Sequence, residues 1–345
     1  MSLQLAILAD DLTGALDSAA PFAARGCRVE VALRPDVTAE VCALEADVLA
    51  VSTRSRELPA AEARAAVAQS AAALPRGVRL FKKIDSRLKG QIEAELSALA
   101  FSRALVVPAI VGFGRVVRNG AVTGFGVDDD IPIAPVLGRF AERSLIPDVE
   151  SDGGMRAALE QAAEADLLVG ARGLAEAWAR QMTGREAEAA PALAGPRGIF
   201  VIGSRDPITL DQVEALRNRG GVLHVPAPNG TFDAEPVLRS DADLVVIQAV
   251  PGDRGLRPSE VASNLAEHLR PLAPARCGTL LLTGGATAEA VLGAMGLDRM
   301  RLLGECLPGL PVGRAGGLTI VAKSGGFGDV GTLVRVADMI RGAKG

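Results

Sequence analysis

The sequence predicts an α/β protein with two domains, each a largely parallel sheet flanked by helices. Short apolar runs alternate with longer alanine-rich helical patterns, and this alternation is typical of βαβ units. The chain has 345 residues, which is enough for two domains. Hydrophobic residues make up 49% of it, so each domain can bury a substantial core.

The apolar runs predict two series of strands. The first series comprises residues 3–9, 28–33, 47–52, 78–82, 104–108 and 166–169. The second comprises residues 198–203, 221–225, 243–249, 279–283 and 318–322. Helical patterns lie between them at residues 12–25, 60–74, 91–101, 154–165, 174–181, 207–219, 259–269, 286–295 and 330–340.

A segment rich in Ala, Pro, Glu and Gly separates the two series at residues 184–198. It has no apolar period, so we interpret it as an interdomain linker, although its alanines could also extend a helix. We therefore predict domains at residues 1–190 and 191–345, with the boundary placed to within about ten residues.

Composition argues against several functional classes. The net charge is −4 and no block of Lys or Arg stands out, so nucleic-acid binding is disfavoured. One Trp and no Tyr leave little for base stacking. The four cysteines are scattered, no signal peptide is recognisable, and no apolar run approaches the ~20 residues of a membrane helix. We expect a cytoplasmic protein with reduced thiols.

Paired carboxylates and two arginines follow predicted strands in the amino-terminal half. Asp10 and Asp11 end the first strand, and either Asp11 or Thr13 could cap the next helix. Two adjacent carboxylates exceed what one cap requires, which favours a metal, a substrate hydroxyl or a general base. Arg56 and Arg115 follow later strands, and parallel strands would bring such residues to one edge of the sheet.

The segment 82–90 is the richest polar run of the chain. Lys82 and Lys83 lie at the end of a predicted strand, and Asp85, Ser86 and Lys89 follow. Asp85 or Ser86 could cap the helix that begins near residue 91. Four cations within eight residues suit a carboxylate or phosphate ligand better than a cap alone.

Three strand–glycine–helix junctions occur in the carboxy-terminal half, at residues 203–207, 283–287 and 324–329. Glycines at such junctions let backbone N–H groups approach a phosphate at the positive end of a helix. Each junction alone is a weak signal, but three in one half of the chain predict a nucleotide site. No P-loop and no protein-kinase signature are present, and no metal-ligand cluster can be assigned.

These motifs resemble, in order, those of the four-carbon acid sugar kinases, which phosphorylate tetronates such as threonate, erythronate or 2-oxo-tetronates with ATP. The matching blocks are residues 9–15 with Asp17, 55–56, 82–86 with 88, 90 and 94–96, 203–204 with 207, 209 and 212, and 323–325 with 327–329.

The resemblance implies an ATP-dependent kinase that uses Mg²⁺, with an amino-terminal sugar-acid-binding domain and a carboxy-terminal nucleotide-binding domain. The residues implied for catalysis are Asp85 and Asp11, of which either could deprotonate the attacking hydroxyl. The residues implied for the sugar acid are Asp10, Arg56, Lys82, Ser86, Lys89 and Arg115. The residues implied for the nucleotide are Ser204, Gly284, Gly285, Ala286, Thr287, Gly325, Gly326 and Gly328.

Other readings stay open. Ala286 stands where the family commonly has Glu, and the segment 112–140 is short, so the alternative is a family member that binds sugar acid or nucleotide without turnover. A dinucleotide-dependent oxidoreductase is disfavoured because no GxGxxG follows the first strand. The clustering of polar residues at strand ends argues against a purely structural protein. The sequence leaves the oligomeric state open, with a homodimer as the candidate assembly.

Overall fold

A computed structural model describes residues 3–195, 197–272 and 277–343. The chain divides into two compact units, the first ending at Glu188 and the second beginning at Ala189. Residues 184–195 form neither helix nor strand. Within the described ranges, no helix is long and apolar enough to cross a membrane.

The first unit contains a parallel sheet and a small antiparallel one. Its strands are β1 (Leu5–Ala9), β2 (Val29–Ala32), β3 (Val48–Ser52), β4 (Arg79–Lys83), β5 (Ala104–Val107), β6 (Arg115–Arg118), β7 (Ala121–Gly124), β8 (Ile131–Pro132), β9 (Ser144–Leu145) and β10 (Leu167–Gly170). Its helices are α1 (Leu12–Ala23), α2 (Thr38–Cys42), α3 (Ala60–Ala72), α4 (Ile92–Leu96), α5 (Ile133–Leu137), α6 (Asp152–Gln161) and α7 (Arg172–Thr183). The parallel strands lie in the order β2-β3-β1-β4-β10-β5-β9, and β6-β7-β8 pair antiparallel.

Strand β1 shows why this sequence forms a parallel sheet. All five of its residues, Leu-Ala-Ile-Leu-Ala, are buried. A strand that is covered by helices on both faces carries a continuous apolar run instead of an alternating one. Helix α1 follows at once, and its residues Ala15, Ala19 and Ala20 are fully buried, so small side chains allow the helix to pack closely.

The second unit is built on a sheet that is parallel except at one side. Its strands are β11 (Gly198–Ile202), β12 (Leu223–Pro228), β13 (Leu244–Val250), β14 (Thr279–Thr283), β15 (Arg299–Leu307), β16 (Leu310–Ala315) and β17 (Leu318–Lys323). Its helices are α8 (Pro207–Arg219), α9 (Glu235–Arg239), α10 (Pro258–Leu269), α11 (Gly285–Ala294) and α12 (Thr332–Gly342). The order is β12-β13-β11-β14-β17-β16-β15, and the β17-β16-β15 pairs are antiparallel.

The predicted fold class is confirmed, and every predicted strand and helix has a counterpart. The helix predicted at 91–101 is wrong in length, because α4 ends at Leu96 and the Ser97 hydroxyl turns back onto the carbonyl of Ala94 at 2.6 Å. The antiparallel strands β15 and β16 and the small sheet were missed. Strand β15 alternates exposed and buried residues, so no continuous apolar run marks it.

Candidate functional site

The carboxyl edge of the first sheet brings three loops together. Strand β1 lies between β3 and β4, with Ala9 paired to Ser52 on one side and to Lys83 on the other. The loops that follow these strands therefore start side by side. This is the edge at which open parallel sheets bind their ligands.

Arg56 joins the two aspartates at this edge. Its Nε and Nη2 each donate to a different carboxylate oxygen of Asp10 at 2.8 Å, and its Nη1 donates to Asp11 Oδ2 at 2.5 Å. Asp10 is 1% exposed. Burial alone would raise the pKa of Asp10, but the hydrogen bonds and charge of Arg56, with smaller contributions from Lys82 and Lys83, hold it below its usual value. Arg56 and Asp10 thus form a fixed, fork-shaped ion pair.

Asp11 performs the capping role that the sequence allowed for it. Its Oδ1 accepts from the amide of Gly14 at 2.7 Å, at the start of α1. Its Oδ2 accepts from the hydroxyl of Thr13 at 3.0 Å as well as from Arg56. Both oxygens of Asp11 are therefore engaged, although the residue remains at the edge of the site.

The two consecutive lysines of β4 have different surroundings. Lys82 is fully buried, and its ammonium pairs with Glu95 at 2.9 Å and donates to the carbonyls of Leu8 and Lys83. Lys83 is 5% exposed. No described residue accepts a hydrogen bond from its ammonium or forms an ion pair with it. That ammonium lies against the first turn of α1, where a Cβ on Gly14 would come within 3.1 Å of Nζ. Lys83 is therefore the lysine available to a ligand, a difference the sequence did not reveal.

The loop after β4 has an unusual backbone. Leu88 has φ of 58° and Gly90 has φ of 96°. A non-glycine residue in this conformation is strained, and such residues cluster at functional sites. Asp85 Oδ1 accepts from the amides of Arg87 at 2.8 Å and Lys89 at 3.4 Å, whereas its Oδ2 has no hydrogen-bond partner among the described residues. Asp85 thus organises the loop with one oxygen and keeps the other free.

Arg115 reaches the same loop from the small sheet. Its Nη1 donates to the hydroxyl of Ser86 at 2.6 Å, and its Nε and Nη2 donate to the carbonyl of Phe125 at 3.0 and 2.7 Å. Burial lowers the pKa of Arg115, as does the charge of Arg87, while Asp85 opposes the shift. Arg115 and Ser86, which the resemblance implied for the sugar acid, are therefore in contact, and Ser86 directly follows Asp85. The side chain of Lys89 is exposed.

Three loops also meet at the carboxyl edge of the second sheet. Strand β14 lies between β11 and β17, with Thr283 paired to both Ile202 and Lys323. The amide of Ser204 donates to Thr283 Oγ1 at 3.4 Å, and a Cβ on Gly203 would lie 1.9 Å from Thr287 Oγ1. Glycine at 203 is thus required for the close approach of α11, which the structure begins at Gly285.

Helix α8 holds the glycine-rich turn that follows β17. Thr209 Oγ1 donates to the carbonyl of Gly325 at 2.7 Å. Gln212 Nε2 donates to the carbonyls of Phe327 at 3.0 Å and Asp329 at 2.8 Å. Both side chains are fully buried and lie three residues apart, so they share one face of the helix. The carbonyls of the turn are consequently directed toward α8.

This arrangement leaves backbone donors on the opposite side of the turn. In a planar trans peptide, the C=O of one residue and the N–H of the next point in opposite directions. The inward carbonyls of Ser324, Gly325 and Phe327 therefore direct the amides of Gly325, Gly326 and Gly328 outward. None of these amides has an acceptor in the part of the chain that the structure describes. Free backbone amides in a glycine-rich turn are donors that an anion can use.

Lys323 lies beneath the same turn. Its ammonium is fully buried and donates to Thr209 Oγ1 at 2.9 Å and to the carbonyls of Ser324 at 3.1 Å and Gly325 at 3.0 Å. Burial lowers the pKa of Lys323 to about 8, and the charge of Asp206 opposes that shift. The sequence did not single out Lys323 or Thr209 as functional, although both lie within the motif-like blocks.

The third loop contributes a helix start. Gly284 precedes α11 with φ of 89°, a conformation that favours glycine. The first backbone hydrogen bond of the helix runs from the amide of Ala288 to the carbonyl of Gly284. The amides of Gly285, Ala286 and Thr287 therefore donate no hydrogen bond within the helix. The predicted nucleotide residues thus lie on three adjacent loops of one sheet edge.

Two family models match the chain in these two units. A sugar-binding N-terminal domain matches residues 5–135, and a nucleotide-binding C-terminal domain matches residues 199–333. The first contains the Asp10–Arg56 pair and Lys83. The second contains the glycine-rich turn and Lys323.

Full-length relatives carry kinase names. A D-threonate kinase of Bordetella bronchiseptica is 31% identical over 402 aligned positions, which include 98% of this chain and 97% of the relative. A D-threonate kinase of Salmonella typhimurium is 29% identical, covering 96% and 97%. A 3-oxo-tetronate kinase of Brucella melitensis is 26% identical, covering 94% and 93%. Since 402 positions exceed the 345 residues of this chain, the first relative contains segments that the chain lacks.

Solved structures share the fold. A Salmonella typhimurium protein superposes with a TM-score of 0.74 at 20% identity and covers 96% of this chain and 98% of its own. A Haemophilus influenzae protein gives 0.72 at 20% identity, covering 98% and 99%. At this identity the likeness supports the architecture alone.

Replacing Arg56 by Met should destabilise the protein in a pH-dependent way. At pH 7 the change leaves the buried Asp10 carboxylate unpaired and should cost about 3 kcal/mol or more. The pKa of Asp10 is lowered in the folded wild type, so its stabilising contribution is present above about pH 4 and is lost below it. Without Arg56, burial raises that pKa, and the deficit of the variant should shrink as the pH falls from 7 toward 5.

Urea unfolding of both proteins across this pH range measures the effect. Arg103→Met is the matched control, because Arg103 and its partner Glu164 are 70% and 87% exposed and such pairs contribute about 1 kcal/mol at most. A deficit that is equally small for both variants, or that does not change with pH, would contradict the assignment.

Proposed function

The chain belongs to the four-carbon acid sugar kinase family and is a sugar acid kinase, and we propose that it transfers the γ-phosphoryl group of ATP to a hydroxyl of a four-carbon sugar acid. The candidate acceptors are threonate, erythronate and the 2-oxo- or 3-oxo-tetronates. D-threonate is the first candidate because a relative named D-threonate kinase is 31% identical. The observation that carries the proposal is the pair of sites at two sheet edges, one with a buried unpaired lysine and one with outward amides.

Lys83 binds the carboxylate of the sugar acid. The residue is only 5% exposed and its ammonium lacks an ion-pair partner among the described residues, so a bound carboxylate would supply that partner. We therefore assign to Lys83 the role that the sequence gave to Lys82, whose ammonium is held by Glu95. Arg115 and Lys89 add positive charge at the rim of the site.

Asp85 is the general base. Its Oδ2 is free among the described residues, and its Oδ1 is fixed by two amides, so the free oxygen is preorganised to accept a hydrogen bond from a hydroxyl. Asp11 is less suited because a cap and Arg56 occupy both of its oxygens. The acceptor hydroxyl loses its proton to Asp85, its oxygen attacks the γ-phosphorus, and ADP leaves with the electron pair of the broken bond.

The second unit holds the nucleotide through the amides of Gly325, Gly326 and Gly328 and the first turn of α11. No group of three or more His, Cys, Asp or Glu side chains among the described residues could hold a metal ion. Mg²⁺ commonly binds substrate phosphates and keeps several waters, and with the nucleotide bound it would neutralise the charge of the phosphates during transfer. A homodimer remains a prediction from the sequence.

The first test is ADP release from ATP and Mg²⁺ with a panel of threonate, erythronate and oxo-tetronate enantiomers. We expect ADP formation that depends on one of these acids, because the two sites supply both substrates. Nucleotide binding by calorimetry runs in parallel. Binding without ADP formation from any member of the panel would favour the alternative of a family member without turnover, which Ala286 at the start of α11 motivates.

Lys83→Met should lower kcat/KM for the sugar acid by roughly 30-fold or more, because a buried charge pair with the substrate carboxylate is lost. The affinity for ATP should not change. Steady-state kinetics with the acid varied measure the effect, and Arg156→Met, an exposed change on α6, is the control. A variant that keeps the wild-type kcat/KM would remove Lys83 from the site.

Asp85→Asn should reduce kcat by about 10²- to 10⁴-fold while leaving ATP affinity intact. The amide oxygen of Asn can still accept from the amides of Arg87 and Lys89, so the loop is retained while the base is lost. Single-turnover kinetics report the chemical step, and Asp128→Asn in an exposed loop should behave as wild type. Unchanged chemistry in Asp85→Asn would assign the base elsewhere.

A further inference from the structure

We propose that Lys323 is a positioning residue of the nucleotide site whose buried positive charge is strengthened by bound phosphates, so that nucleotide binding is coupled to proton uptake. The inference rests on the proposed function, since it takes the glycine-rich turn to be the phosphate cradle. The ammonium beneath the turn orients the backbone amides and also supplies a positive charge close to the bound phosphates.

The contacts of the Lys323 ammonium fix the orientation of the turn. Lys323 Nζ donates to the carbonyls of Ser324 and Gly325 and to Thr209 Oγ1, which itself donates to the Gly325 carbonyl at 2.7 Å. Two successive carbonyls are thereby turned inward, and the amides of Gly325 and Gly326 are turned outward. Without the ammonium, each of these carbonyls would keep one donor, Thr209 Oγ1 for Gly325 and the Phe327 amide for Ser324, and would lose the charged one.

Among the described residues, the Lys323 ammonium has no carboxylate as a counterion. Within the described residues, no carboxylate lies within ion-pair distance of Lys323, and Asp206, which caps α8, is the acidic group whose charge reaches it. The other groups that face Nζ, on α8 and in the turn, are a hydroxyl and carbonyls. A buried cation without a counterion is costly, and an anion at the turn would compensate it.

Lys82 provides an internal comparison. It lies one residue before the end of β4 in the first unit and is equally buried, but Glu95 pairs with it at 2.9 Å. Its charge is therefore already compensated within the protein. Lys323 lacks such a partner, and its charge remains available to a ligand.

The sign of the linkage is fixed by the direction of the two pKa changes. Burial lowers the pKa of Lys323 to about 8 in the free protein, so near pH 8 about half of the molecules carry the neutral amine. Bound phosphates favour the ammonium and raise the pKa. Binding near pH 8 therefore takes up as much as about half a proton, and affinity falls as the pH rises above 8. Well below pH 8 the ammonium is already formed and uptake vanishes.

The experiment is titration of the full-length protein with ADP and Mg²⁺ by calorimetry, at pH 7 and pH 8, in buffers of different ionisation enthalpy. The dependence of the observed enthalpy on the buffer gives the number of protons taken up. Wild type is compared with Lys323→Met, which removes the charge and the donors, and with Thr209→Val, which removes one support of the turn and keeps the charge. Protons contributed by the nucleotide itself are common to all three proteins.

We expect wild type to take up protons at pH 8 in excess of Lys323→Met, and Lys323→Met to bind ADP at least about tenfold more weakly. Thr209→Val should bind more weakly but retain the excess uptake. Lys323→Met removes an uncompensated buried cation but also three hydrogen bonds, so the melting curve of each variant is recorded without nucleotide beside the binding data. A cooperative transition well above the titration temperature shows that a loss of affinity does not come from unfolding.

The inference is overturned if Lys323→Met binds ADP as wild type does, or if the two proteins take up the same number of protons at pH 8. It is also overturned if Thr209→Val binds ADP as tightly as wild type does and Lys323→Met has lost its cooperative melting transition. The weaker binding of Lys323→Met would then reflect unfolding. Failure of the wild type to bind ADP at all would instead reject the proposed nucleotide site, and the inference with it.

Discussion

A buried ammonium group needs three hydrogen-bond acceptors, and this requirement shapes both sheet edges. Lys82 finds Glu95 and the carbonyls of Leu8 and Lys83, whereas Lys323 finds a hydroxyl and two carbonyls of the turn that follows it. Lys82 is the penultimate residue of β4 and Lys323 is the last residue of β17, and both strands lie inside their sheets. The backbone around it can adopt few other paths, because every displaced carbonyl would leave a buried donor unsatisfied.

The way each ammonium is compensated decides what the edge can bind. In the first unit, Glu95 neutralises Lys82, and the same carboxylate accepts from the hydroxyl of Ser55. Ser55 directly precedes Arg56, so this buried network also fixes the loop that holds Asp10. The adjacent Lys83, on the opposite face of the strand, has no such carboxylate partner among the described residues. In the second unit the acceptors of the Lys323 ammonium are a hydroxyl and two carbonyls, so its positive charge is not neutralised by a carboxylate among the described residues.

The sequence predicted the α/β class, the strand ends and the loops that meet there, because apolar runs and glycine junctions are local signals. It did not separate Lys82 from Lys83, since the faces of a strand are assigned only when the neighbouring helices are known. It left Asp11 open between cap and base, and the contacts show a cap with Arg56 on the second oxygen. Thr209 and Lys323 stood within recognised blocks, but their joint hold on Gly325 depends on residues 114 apart.

Glycine at 325 shows how distant parts of the sequence restrict one another. A Cβ at that position would displace the Ser204 hydroxyl, which accepts from the amide of Asp206 at 3.2 Å, and would lie 3.1 Å from Asp206 Cβ, so a side chain at 325 would disturb the packing of the turn after β17 against the loop after β11. At the neighbouring Gly326 a Cβ would lie 3.4 Å from Asp206 Oδ2, which is an ordinary contact. The two glycines are therefore under different structural constraints. Gly325 is fixed by packing within the protein, and the openness at Gly326 leaves its amide accessible to a phosphate.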